Sequence, residues 1–109
     1  MTEREVFQMV KSIGLPVAYH LFEEGKSPDP PFLVYLYPGT NNFSADGTVY
    51  QGVNQLDIEL YTDKKDLEAE KRVEAVLKKH GFFCEKTETY LESEKMYEVI
   101  YETEVLINE

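Results

Sequence analysis

The chain has one cysteine, Cys84, no tryptophan and two histidines among 109 residues. A lone thiol cannot close an internal disulfide, so no bridged framework is available to hold the fold. His20 and His80 lie far apart in sequence, and neither has a His, Cys or acidic partner at ligand spacing, so no zinc centre is expected. Basic side chains are scarce, with 11 Lys and Arg against 21 Asp and Glu and a formal net charge of −10. Gripping a phosphate backbone takes clusters of Lys and Arg, so specific nucleic-acid binding and an anionic membrane surface are both disfavoured. No apolar run approaches the ~18 residues that a membrane-spanning helix needs. The opening Met1-Thr2-Glu3-Arg4-Glu5 is too polar for a secretory leader, and cytosolic synthesis is the expectation. Gly39 and Gly47 stand alone rather than in a phosphate-cradling loop, and the Asp46-Gly47 turn lacks the ligand series of a calcium loop. No cofactor is expected.

The length fits a single domain, residues 1–109, and the 42% hydrophobic content supplies one modest core. Thr2 and Glu5 have capping-box spacing, and Val6, Met9, Val10 and Ile13 recur at helical intervals behind them. Gly14 offers a left-handed helix stop, and Pro16 prevents continuation. A first strand is expected at residues 17–22, followed by a stiff connection containing Gly25, Pro28, Pro30 and Pro31. The second strand, residues 32–37, is apolar throughout, the pattern of a strand covered on both faces. After a polar loop at residues 38–48, Leu56, Ile58 and Leu60 alternate with Asp57, Glu59 and Tyr61. The second and third strands are thus expected to pair as an antiparallel hairpin.

Asp63 or Asp66 can cap a second helix reaching about His80, with Leu67, Val73, Val76 and Leu77 on one face and Gly81 beyond its end. Glu68 with Arg72 and Glu74 with Lys78 have the spacing of ion pairs along it. Two strands joined near residues 92–95 close the chain. In the last, Tyr97, Val99, Tyr101, Val105 and Ile107 share one side, and Glu98, Glu102 and Glu104 the other, which Ile100 and Leu106 interrupt. The expected fold class is α+β: two helices packed on one face of a mainly antiparallel sheet of about five strands, in the order α-β-β-β-α-β-β.

Catalysis is not expected. His80 suits a helix C-terminus, His20 a strand edge, and Cys84, behind Phe82-Phe83, a small core position. Association is better supported, because two helices cover one side of a sheet whose second strand reads as buried on both. A neighbouring copy of the chain, or the chain's own loops and strand ends, must supply the second cover. The polar loop is longer than a hairpin connection requires, and its residues Asn41, Asn42, Phe43, Ser44, Asp46 and Gly47 are the candidate partner-binding residues, against the plainer reading of a mere connection.

Three stretches carry a family resemblance: Pro31-Phe32-Leu33-Val34-Tyr35-Leu36, Asn41-Asn42-Phe43-Ser44-Ala45-Asp46-Gly47, and Leu56-Asp57-Ile58-Glu59-Leu60-Tyr61-Thr62-Asp63-Lys64-Lys65-Asp66. With Tyr90-Leu91-Glu92-Ser93-Glu94 and Tyr97-Glu98-Val99, they make the chain resemble the tail terminators, or head–tail joining (tail completion) proteins, of siphoviruses and prophages of Gram-positive bacteria. The resemblance implies a structural virion protein rather than an enzyme. Its implied assembly is a homohexameric ring on the tail tube that halts tube growth and docks the head–tail connector, with DNA passing through the lumen. It also implies assembly in the host cytoplasm and residence at the tail–head junction of the virion. Another minor tail, neck adaptor or tail-assembly protein is the neighbouring possibility, and a generic protein-binding module the more distant one.

Overall fold

The computed structural model describes residues 1–40, 43–45 and 48–107, with the backbone alone described for 43–45 and 48–51. The element order is α1 (Glu3–Lys11), β1 (Val17–Tyr19), β2 (Phe32–Leu36), β3 (Phe43–Ala45), β4 (Thr48–Gln51), β5 (Val53–Thr62), α2 (Leu67–Lys79), β6 (Glu85–Leu91) and β7 (Met96–Leu106). Five strands form one sheet in the order β1-β2-β5-β7-β6, while β3 and β4 pair in a separate two-stranded sheet. The fold is α+β, as expected, with β3 and β4 as two strands more than the expected order α-β-β-β-α-β-β. No helix among the described residues is long and apolar enough to cross a membrane.

The capping box forms as the sequence implies: Glu5 N donates to Thr2 Oγ1 at 3.1 Å, and Thr2 N donates to Glu5 Oε1 at 2.9 Å. The backbone bond and the hydroxyl of Thr2 hold the Glu5 carboxyl below its usual range. Asp66, rather than Asp63, caps α2, accepting from Ala69 N at 3.0 Å. Residues directly opposite in paired strands share a face. Leu33 opposes Leu60, Tyr35 opposes Ile58, and these in turn oppose Val99 and Tyr101. That face meets Val6, Met9, Val10 and Ile13 of α1 and Ala69, Val73 and Leu77 of α2 in one buried cluster. Each such side chain removed from water contributes about 1.5–3 kcal/mol.

Three expectations need correction. Residues 17–22 form a strand only to Tyr19, and β1 runs parallel to β2. His20 takes a left-handed backbone (φ 70°), which breaks the extended run and turns the chain out of the sheet edge. Leu67 leaves the buried face of α2 and is 59% exposed, because six residues at 100° each rotate it away from Val73. Glu70 takes a place on that face instead. Finally, the helical ion pairs differ from those read by spacing. Glu74 pairs with Lys86 across to β6, and Arg72 Nη2 donates to the carbonyls of Ile13 and Gly14 at 2.9 and 3.1 Å, closing the end of α1. Gly14 is needed there, since its φ is 91° and a Cβ would lie 2.5 Å from Arg72 Nη2.

The expectation that β2 is covered on both faces holds, with Phe32, Leu33, Val34 and Tyr35 all buried. The cover, however, comes from the same chain. Phe32 projects to the side away from the helices, where its ring meets Phe22 edge-on at 5.4 Å and stacks on Tyr61 at 5.1 Å. The segment between β1 and β2 therefore folds back over the sheet, and a neighbouring copy is not required at that place.

Glu70 anchors α2 to β6 through charge. Its carboxylate, with a side chain 4% exposed, meets Lys65 at 2.8 Å and Lys86 at 2.7 Å. Lys65 also contacts Glu88, and Lys86 contacts Glu74, which accepts from Tyr101 OH at 2.7 Å. Burial acts to raise the Glu70 carboxyl, but the two lysines outweigh it and hold it below its usual range. A depressed acid adds stability above its unfolded-state pKa and loses it as pH falls through the folded value. Glu70→Ala removes the carboxylate shared by Lys65 and Lys86, which keep Glu88 and Glu74, and is expected to lower unfolding free energy by about 1–2 kcal/mol in urea titrations at neutral pH. The same variant should also flatten the acid limb of the stability–pH curve.

Candidate interaction surface

The side of the sheet away from the helices divides in two. Under Phe22 it is aromatic and closed; toward β7 and β6 it is open and acidic. Asp57, Glu102 and Glu85 sit directly opposite one another across β5, β7 and β6, forming a row of three carboxylates. Glu59 and Glu98 flank it on the same face, and no Lys or Arg occupies this face of β5, β7 or β6. Like charges directly opposite in a sheet repel and destabilise. Burial, with Glu102 adding to it, raises the Asp57 carboxyl above its ordinary value. Glu59 is raised as well, first by burial and then by Glu98 and Asp57, against lowering contributions from Tyr61 and His20.

The Tyr61 hydroxyl lies 2.9 Å from Glu59 Oε1 and 2.7 Å from Glu98 Oε2. Having one proton, it donates to one carboxylate at a time. Burial and the two carboxylates together push the phenol well above its usual range.

At the far end of β2 and β5 the candidate loop leaves the sheet. Gln55 N donates to Gly39 O at 2.9 Å and Thr40 bridges Asn54, continuing the β2–β5 pairing past Leu36. Beyond that base, β3 and β4 pair with each other as a hairpin arm outside the main sheet. Of the candidate residues, Phe43 and Ser44 fall in β3, whereas Asn41, Asn42, Asp46 and Gly47 lie outside the described residues. The radius of gyration is 14.9 Å and the extents are 49 × 28 × 23 Å, against about 13 Å for the radius of a compact domain of this length. The subunit is elongated.

A feature missed by the reading of motifs sits in plain sight in the sequence. Between Pro38 and Gln55, Asp46 is the one charged residue, in a chain that is 29% charged. The segment is nearly neutral where its surroundings are acidic. Exposed apolar side chains occur at both ends of the sheet, Leu67 and Tyr90 at the far end and Phe83, Tyr19, Leu21 and Leu106 at this one. Phe83 is 97% exposed at the α2–β6 corner, and Tyr19 and Leu21 are 55% and 59% exposed at the opposite edge.

The histidines and the cysteine are placed apart. His20 is exposed beyond β1, His80 accompanies the end of α2 with Nδ1 2.9 Å from Val76 O, and Cys84 is half-buried before β6. Burial raises the Cys84 thiol. Among the described residues, no group of three His, Cys, Asp or Glu side chains is placed to hold a metal ion. Compared with models of known protein families and with curated proteins, the chain matches none.

Asp57→Asn removes the repulsion at the β5 end of the acidic row, between Asp57 and Glu102. Because the raised Asp57 carboxyl costs stability as pH climbs from its unfolded through its folded pKa, the variant is expected to melt higher than wild type at pH 7. The advantage should vanish below pH ~3.5, where the carboxyl is protonated in both states. Calorimetry across that range provides the comparison.

Proposed function

We propose that the chain is a structural virion assembly protein, a tail terminator or head–tail joining subunit that caps the tail tube as a ring of copies and docks the head–tail connector. The β3–β4 arm is the observation that carries this reading. Two strands of three and four residues pairing only with each other make a hairpin that is marginal in water on its own. Such an arm, nearly free of charge and rich in Thr, Val, Tyr and Phe, suits burial against another protein surface. Its base adjoins the β2–β5 pair, where Thr40 bridges Asn54.

The acidic row supports the same reading. Asp57, Glu102 and Glu85 repel one another, and a fold gains nothing internal from that. A surface past which DNA must slide does gain, since carboxylates repel phosphates and prevent arrest. Residence at the tail–head junction, after assembly in the host cytoplasm, belongs to this proposal. So do the tail tube and connector proteins as partners.

Replacing residues 43–51 by a short Gly-Ser turn tests it. The expected outcome is a thermal midpoint within a few degrees of wild type, because the arm lies outside the main sheet, together with loss of head–tail joining in an assembly assay. Electron microscopy of particles made without the protein should show overlong or headless tails. Normal virions in either experiment would remove the proposed role.

A further inference from the structure

At the end of the sheet from which the arm leaves, the two opposite edges carry complementary features. On the β6 edge stands Phe83, its side chain 97% exposed. The backbone beneath it is pinned: Phe82 N donates to Leu77 O at 3.0 Å, and Thr103 Oγ1 donates to Phe83 O at 2.6 Å. An exposed ring on an anchored backbone loses little conformational freedom when it is covered. On the β1 edge, Tyr19, His20, Leu21, Leu36, Tyr37 and Pro38 line an open hollow. It is also held in shape, by His20 N donating to Tyr35 O at 2.7 Å and by Tyr19 packing on Tyr35 and Tyr37 at 5.2 and 5.9 Å.

The strand register sets the level of both. Leu36 opposes Asp57, Asp57 opposes Glu102, and Glu102 opposes Glu85, so the hollow at the end of β2 and the ring just before β6 lie at the same end of the strands. A second copy moved sideways along the sheet brings one against the other. The flanking charges are opposite in sign. Exposed Lys78 and Lys79 precede the aromatic knob, and exposed Glu23 and Glu24 follow the hollow.

We propose that Phe83 of one copy seats in the hollow of Tyr19, Leu21, Leu36, Tyr37 and Pro38 of a second copy, with Lys78 and Lys79 facing Glu23 and Glu24. The contact is head-to-tail: the two surfaces differ, every copy carries both, and repetition closes a ring or extends a filament according to the rotation between neighbours. It deepens the assembly role proposed above by naming the surfaces that meet, and its biological use rests on that role.

Sedimentation of the full chain over a range of concentrations tests it. Wild type should associate, and Phe83→Asp should raise the dissociation constant about tenfold or more, the scale of losing a central aromatic anchor. Reversing Lys78 and Lys79 to Glu should weaken association, and adding Glu23→Lys with Glu24→Lys should restore it. In a Cys84→Ser background, an equal mixture of Lys79→Cys and Glu23→Cys chains, which both keep Phe83 and the hollow, should oxidise mainly to the mixed disulfide. A wild type that stays monomeric throughout, a Phe83→Asp chain that associates as tightly as wild type, or cross-links without preference for the mixed species would overturn the contact. Normal virions made without the protein, alongside a dominant mixed cross-link, would instead remove the assembly role and leave the contact standing.

Discussion

A sheet has two faces, and two helices can cover only one of them. Everything else in this molecule follows from how the second face is handled. The chain turns at His20 in a left-handed conformation, leaves the sheet after the three residues of β1, and lays Phe22 on the ring of Phe32. That single reversal seals β2, allows β1 to return parallel beside it, and confines the exposed part of the second face to β5, β7 and β6. Burial of apolar surface favours the arrangement, because Phe32 and Val34 would otherwise face water.

What stays exposed is chemically unlike what is sealed. The aromatic corner ends at Tyr61, whose hydroxyl bridges toward Glu59 and Glu98. Beyond it runs the row of Asp57, Glu102 and Glu85. On the opposite face, Glu70 and Glu74 are matched by Lys65 and Lys86, so the protein compensates acids where it needs α2 fixed and leaves them uncompensated on the open face. The neutral arm and the exposed Phe83 stand out against that acidic background.

Much of this was legible in the residues. The Thr2–Glu5 spacing, the 3.6-residue stripe of α1 and the strict alternation of Leu56, Ile58 and Leu60 are local signals of local structure, and each survives in the fold. The apolar run of β2 correctly announced two covered faces, but no local pattern says which distant segment does the covering, and Phe22 is ten residues away. The run 17–22 looked uniformly extended because a left-handed φ at a histidine leaves no mark in hydropathy. Glu70 was invisible for a similar reason, since its partners Lys65 and Lys86 converge only after α2 packs beside β6. The contact loop was singled out by length and polarity, whereas its want of charge, the clearer signal, lies in plain counting between Pro38 and Gln55.

If the reversal at His20 closes the core within one chain, the folded state does not need a neighbour. The dependence of the thermal midpoint on protein concentration tests this most directly, measured on the Phe83→Asp chain, in which the proposed contact between folded copies is weakened. A self-sufficient subunit gives a cooperative transition whose midpoint stays constant on dilution through the sub-micromolar range. A midpoint that keeps falling as the protein is diluted would mean that a second chain completes the core, and the closed subunit described above would be wrong.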